Sequence, residues 1–589
     1  MLPPPPSDPG HSSPRPQLER DGWISLEGEW DFTIDADARW THPDDVAWTG
    51  RILVPFAPES PASGIGDTSL FRSCWYRRRV TLPGPDTARV VVHFGAVDWA
   101  ATVWVNGRRV GTHEGGYTPF TVELTGCGRP GDVVELVIRA EDDPLELAKP
   151  RGKQDWQLEP HSIWYPRTTG IWQTVWMERL PRSWIDSLRW TSNLERWEIG
   201  LEARIGGPER DDLYLTATLT AGQRVLVRDQ YLVVSGEVHR RLALSDPGID
   251  DSRNELLWNP HTPTLIHARL SLHDKTGRVL DTVRSYTALR SIASEGDRVL
   301  LNGRPYQMRL VLDQGYWPET GMTAPNDEAL RRDVELARLM GFNGVRKHQK
   351  VESPRYLYWA DVVGLLVWGE MPSAYRFTRQ SVDRLVREWM AVVERDYSHP
   401  CIVAWVPFNE SWGVPNLPAS PSERHYVEAL YHLTRTLDPT RLVVGNDGWE
   451  SVATDIIGVH DYDADAERLG RRYHAEESRG RLFRRERPGG RALVLGGHKG
   501  QPLVLTEFGG ICCSPADQTW GYSRANDPAE LARRYRDLMN VVTMMPRVAG
   551  FCYTQFADTY QEANGLLYAD RTPKFPLDEI AAATSGRSS

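Results

Sequence analysis

What most constrains the fold of this 589-residue chain is a word repeated through its second half: a short unbroken apolar run that ends in a polar residue or a carboxylate. Ile402-Val403-Ala404-Trp405-Val406 runs into Asn409-Glu410, and Leu503-Val504-Leu505 runs into Thr506-Glu507. Unbroken runs of this length belong to parallel strands covered on both faces, whereas half-exposed strands alternate. Strands are read near 307–312, 344–347, 366–370, 402–409, 442–446, 456–460, 503–506 and 550–556. Helical segments separate them. Asn326 is expected to cap a helix over 327–340, with Leu330, Val334 and Ala337 on its apolar stripe. Ser381 is expected to cap the next, with Leu385, Val386, Trp389 and Val393 facing the sheet. Strand-then-helix alternation through about 300 residues predicts a (β/α)8 TIM barrel, whose functional side chains stand at the C-terminal strand ends.

The first half has a different pattern. Residues 1–20 are rich in Pro and Ser and are expected to form a flexible arm. From 21 to 182, short alternating runs such as Val90-Val91-Val92-His93-Phe94, with turns at Asn106-Gly107 and Gly115-Gly116, predict an all-β sandwich. Residues 183–291 form a second β block of immunoglobulin-like size, and the barrel takes 292–589. The Arg- and Gly-rich stretch 468–500 is too long for an ordinary barrel loop and reads as a surface excursion or a lid. A frayed tail is expected from Ala581.

A net charge of −10 argues against a nucleic-acid or anionic-membrane partner. No run of 18 or more apolar residues occurs, and Met1-Leu2-Pro3-Pro4 has no signal-peptide pattern, so a cytoplasmic location is expected. Six cysteines without C-x-x-C spacing read as reduced thiols. Twenty-three tryptophans suit stacking against sugars as well as core packing.

Glutamates at two strand ends meet the requirement of retaining glycoside hydrolysis: one protonates the leaving oxygen and one attacks the anomeric carbon, about 5–5.5 Å apart. Other strand ends supply a candidate lining: Asp313, His348, Glu370, Trp449, His460, Asp461, Tyr462, Tyr553 and Gln555. No cofactor or metal is expected. Asp461-Tyr462-Asp463-Ala464-Asp465 lacks the glycine and the closing glutamate of a calcium loop, and no H-E-x-x-H word occurs.

His399-Pro400 through Asn409-Glu410-Ser411-Trp412, together with Thr506-Glu507-Phe508-Gly509, closely resemble the acid/base and nucleophile motifs of glycoside hydrolase family 2, which includes β-galactosidases, β-glucuronidases and β-mannosidases. The resemblance implies a jelly roll and an immunoglobulin-like domain ahead of the barrel. It also implies Glu410 as acid/base, Glu507 as nucleophile, Asn409 on the sugar 2-hydroxyl and Arg346 orienting the nucleophile. The stretch 153–165, with Trp164, would reach the barrel from the jelly roll. Two departures bear on substrate. Lys347-His348-Gln349-Lys350 stands where many relatives have Ser-His-Tyr-Pro, and Asn564-Gly565-Leu566 lacks the lysine of the glucuronidase Asn-x-Lys word. Lys347 and Lys350 could still meet a carboxylate from another side. The expected activity is a retaining exo-β-glycosidase, β-galactosidase-like first. The alternatives are a uronide (glucuronide or galacturonide) or furanoside enzyme and, from another class, an inert carbohydrate-binding protein. Its partner is a carbohydrate, and homo-oligomerisation is left open.

Overall fold

The computed structural model describes residues 13–85, 89–208, 212–474, 492–516 and 518–586. Its C-terminal half is a (β/α)8 barrel. The strands are β1 (Met308–Asp313), β2 (Gly344–Lys347), β3 (Leu366–Glu370), β4 (Ile402–Val406), β5 (Leu442–Val443), β6 (Ile457–His460), β7 (Leu503–Gly509) and β8 (Val548–Thr554). They pair in parallel in the order β5-β4-β3-β2-β1-β8-β7-β6, so β8 lies beside β1 as closure requires. Between β5 and β6 the ladder is replaced by Asp455, whose N–H donates to Val443 O at 2.8 Å and whose carboxylate accepts from Val443 N at 2.8 Å. Every residue of β2, β4 and β7 is buried, which is why β4 and the start of β7 read as unbroken apolar runs, whereas β2 buries the charged Arg346 and Lys347.

Helices α1 (Asp327–Leu339) and α2 (Arg379–Asp396) flank the barrel. Asn326 caps α1 as expected, accepting from Ala329 N at 2.9 Å. The expected cap of the second helix is corrected. Thr378 is the cap and Ser381 is the third helical residue, the two exchanging bonds at 3.1 and 2.8 Å in a capping box. The frayed tail is also corrected. A third helix, α3 (Leu577–Thr584), buries Ile580, and only 587–589 lie outside the described residues.

Two antiparallel β units precede the barrel. The first pairs a six-stranded and a four-stranded sheet over one core that includes Trp30, Phe32, Tyr76, Val92 and Ile138. In the second, a three-stranded and a four-stranded sheet close over alternating inward side chains such as Leu215, Ala217 and Leu219. The flexible arm is overturned for residues 13–20. Glu19 exchanges two backbone bonds of 2.9 Å with Arg284 on an edge strand, and Arg20 pairs with buried Asp281 at 2.9 Å. Composition hid these specific contacts; residues 1–12 lie outside the described residues. Among the described residues no helix is long and apolar enough to cross a membrane.

These units hold the barrel at both ends. At its N-terminal end Tyr286 of the second unit donates to Asp361 at 2.8 Å. At its C-terminal mouth the first unit lends the loop 151–165, where Arg151 N and Gly152 N donate to Ser373 O at 3.0 and 3.1 Å.

Candidate active site

The chain leaves β4 through a turn that aims Glu410 across the barrel mouth. Glu410 and Ser411 both take left-handed backbone conformations, with φ of 50° and 55°. A non-glycine residue there costs about 1–3 kcal/mol and persists only where its surroundings over-determine it. Here they do: Glu410 N donates to Asp447 O at 2.9 Å, Ser411 N to Asn446 Oδ1 at 3.0 Å, and Ser411 Oγ to Glu450 at 2.6 Å. Glu507 points in from β7. One oxygen of each carboxylate and one ring nitrogen of His460 all lie within 4.8 Å of one another. That spacing suits two groups acting on opposite sides of one reacting carbon.

Arg346, fully buried on β2, ties the floor together. Its guanidinium reaches Glu370 at 2.6 Å, Asp447 at 2.7 Å, Glu507 at 3.0 Å and the Asn409 carbonyl at 2.6 Å. Burial works against its charge, but Asp447, Glu370 and Glu507 outweigh burial and push its pKa well up. Tyr462 donates to the other Glu507 oxygen at 2.5 Å and stacks on Tyr522. Glu507 is thus held by two donors that leave it no rotational freedom.

His460 bridges the two glutamates. Its Nδ1 lies 2.6 Å from Glu410, and its Nε2 lies 3.2 Å from Asp447 and 3.3 Å from Glu507. The ring sits against Gly448, where any Cβ would overlap the imidazole. Burial lowers the His460 pKa, but the Glu507 field and the bonds to Asp447 and Glu410 outweigh it and carry it up to about 9. Burial likewise raises Glu410, yet the hydrogen bond and charge of His460 bring it down to about 2. In the free site the pair is therefore imidazolium and carboxylate, sharing one proton.

A stability consequence follows. A histidine raised from 6.5 to about 9 stabilises the fold fully below about pH 6.5, and this contribution is lost as pH rises through about 9. For Glu410, lowered from 4.5, the contribution is present above about pH 4.5 and lost toward pH 2. Calorimetric melting should thus fall between about pH 6.5 and 9, and the fall should be smaller in His460→Asn. An identical fall in both proteins would remove His460 from the account.

Several expected lining residues are engaged elsewhere. Tyr553 is corrected to a core residue: Cys552 and Thr554 of β8 face inward, whereas Tyr553 packs edge-on against Tyr535 of the surrounding helix layer. Asp461 is bound by Arg472 and Tyr473, the latter at 2.8 Å. Asp313 pairs with Lys347 at 2.7 Å, and Glu352 takes Lys347 at 2.9 Å and Lys350 at 2.8 Å. Neither lysine is left to meet a substrate carboxylate. Gln555 accepts from Gln314 at 2.9 Å. His348 lies 3.0 Å from Glu370, and burial, then Lys153 and Arg346, hold its pKa well down, so it is a neutral imidazole. Trp164 and Trp449 do converge, each packing on Trp412 at 5.7 and 5.9 Å between centroids.

Two residues at the site are not among the expected lining, although Lys153 opens the 153–165 stretch expected to reach the barrel. Asp447 stands one position past the expected fifth strand, in a Gly-Asn-Asp-Gly stretch that reads as a plain turn. Lys153, on the loop from the first unit, is only 6% exposed, with its ammonium 5.9 Å from the Tyr165 ring centroid. Its charge acts on both Glu410 and His348. Among the described residues no carboxylate, carbonyl or hydroxyl accepts from it.

A parallel barrel with two carboxylates opposed at its C-terminal mouth is the arrangement on which retaining glycosidases are built. Residues 292–585 match the family model "Glycosyl hydrolases family 2, TIM barrel domain", and the chain belongs to glycoside hydrolase family 2. A β-galactosidase of Vibrio cholerae is 26% identical over 486 residues, which are 74% of this chain and 44% of that protein. This chain therefore spans less than half the length of that relative. Among solved structures, a Ruminococcus gnavus β-glucuronidase in complex with D-glucuronic acid superposes with a TM-score of 0.76 at 18% identity, over 96% of this chain and 99% of that one. A family 2 β-galacturonidase from Eisenbergiella tayi bound to glycerol gives 0.73 at 18% identity, over 97% and 98%. At such identities these two matches establish the fold.

Proposed function

We propose that this protein is a retaining β-glycosidase that removes terminal β-linked uronic acids, and that its first two units are the jelly roll and immunoglobulin-like domains, divided near residues 182 and 291. The observation that carries the chemistry is the approach of Glu410, Glu507 and His460 to within 4.8 Å. Glu507 attacks the anomeric carbon as the glycosidic C–O bond breaks. The leaving oxygen takes the proton that the Glu410–His460 pair holds, through Glu410. Water then attacks the anomeric carbon, giving one of its own protons to Glu410 as the ester bond to Glu507 breaks, so the sugar leaves with its β configuration retained. Asn409, its carbonyl fixed by Arg346, presents its amide N–H to the 2-hydroxyl.

The uronide reading has support in the named activities of the two structures that match this chain nearly end to end. A β-galactoside substrate has support in the name of the Vibrio cholerae relative. A panel of nitrophenyl β-glucuronide, β-galacturonide, β-galactoside, β-mannoside and β-galactofuranoside separates them. The expected result is the highest kcat/KM on a uronide. The highest value on the galactoside would overturn the substrate class while leaving the chemistry, and sugar binding without turnover of any would leave an inert carbohydrate-binding protein.

A further inference from the structure

We propose that Lys153 is the residue that recognises the substrate carboxylate, so that one structural unit reads the charge of the sugar and another breaks the bond. This rests on the uronide reading above. The other cations near this mouth are already committed. Arg346 is shared among Glu370, Asp447, Glu507 and Asn409. Lys347 and Lys350 are held by Asp313 and Glu352, and Lys574 by Asp558 at 2.7 Å. The guanidinium of Arg151 is bound by four backbone carbonyls.

A uronate entering here meets Glu370, Asp447, Glu410 and Glu507 against only Arg346 and His460. Without a further cation such an anion is strongly disfavoured in a buried site. Lys153 is that cation: nine-tenths buried, acting on Glu410 and His348, with the Tyr165 ring 5.9 Å away and no carboxylate, carbonyl or hydroxyl accepting from it among the described residues. An ammonium with no carboxylate partner on the loop that docks over the mouth can form a charge-assisted bond with a ligand carboxylate.

Its position is fixed by backbone bonds rather than by its own flexible stem. Tyr165 N donates to Lys153 O at 2.7 Å, Tyr375 Oη to Gly152 O at 2.6 Å, and Tyr165 Oη to Glu562 at 2.5 Å. Gly152 takes a φ of 59°, and any Cβ there would overlap Gln349 O, so the loop lies directly on the barrel. The competing role is purely electrostatic: Lys153 offsets the carboxylates and tunes Glu410 whatever the sugar.

The test compares kcat/KM for a nitrophenyl uronide and for its parent hexoside, which differ only in carboxylate against hydroxymethyl. Lys153→Met should lower the uronide-to-hexoside ratio by about 10- to 100-fold, the range of a hydrogen bond to a charged group, and Lys153→Arg should restore part of it. Lys153→Gln serves if the methionine variant does not fold. Binding of the free uronic acid and the parent hexose to the Glu507→Gln protein reads the same ratio without turnover. A wild-type protein that cleaves uronides, with an unchanged ratio in Lys153→Met, overturns this assignment alone. An equal loss on both substrates with a displaced pH profile assigns Lys153 to the electrostatic role and also overturns it. A wild-type protein that does not cleave uronides overturns both readings.

Discussion

Glu507→Gln should lower kcat/KM about 100,000-fold or more while leaving the fold and substrate binding in place. The amide keeps the volume of the side chain and can accept from Tyr462, so the Tyr462 contact at 2.5 Å has a successor. Arg346 loses one of its carboxylates but retains Glu370 at 2.6 Å and Asp447 at 2.7 Å, which hold the floor. What disappears is the charge that attacks the anomeric carbon, and loss of a nucleophile acts on this scale. Steady-state kinetics beside a titration with a non-hydrolysed sugar separates the two effects. Activity within tenfold of wild type would exclude Glu507 as the nucleophile.

Glu410→Ala is the second large effect, and it should depend on the leaving group. An alkyl leaving group must be protonated as it departs, so its rate should fall by about 100- to 10,000-fold, the usual worth of a positioned acid. A dinitrophenolate leaves without help, so formation of the glycosyl-enzyme should be nearly unaffected. Water then lacks its base, and added azide should restore turnover and yield a β-glycosyl azide. Equal losses on both leaving groups, with no azide product, would remove Glu410 from the acid/base role. His460 sharpens the prediction: with Glu410 gone, its Nδ1 loses the partner at 2.6 Å and the basic limb of the pH profile should move down.

The barrel was legible because burial on both faces leaves unbroken apolar runs in strands such as β4, while β2, which carries Arg346 and Lys347, is legible only from the strand-then-helix alternation. That same burial erased the inside-outside alternation, which is why Tyr553 was placed in the site rather than against Tyr535. Thr378 and Ser381 are both good caps three residues apart, and only the backbone geometry decides between them. The central glutamates were legible from their strand ends. The hub around Arg346 was only half so, because Asp447 reaches it from a strand of two residues that carries almost no pattern. Lys153 lies at no strand end; its stretch, 153–165, is expected at the barrel, but the lysine itself carries no signal of a role there. A lysine in a loop reads as solvated, and its burial depends on long-range docking of 151–165 on the barrel.

The account's central claim is that one sugar carbon is attacked by Glu507 while Glu410 stands on the opposite side. The most direct measurement is peptide mapping by mass spectrometry after trapping with a 2-deoxy-2-fluoro glycoside of the preferred sugar. The prediction is a single covalent adduct on Glu507, absent in Glu507→Gln and slow to hydrolyse in Glu410→Ala. An adduct on any other residue, or turnover through a product of inverted configuration with no adduct, would contradict it.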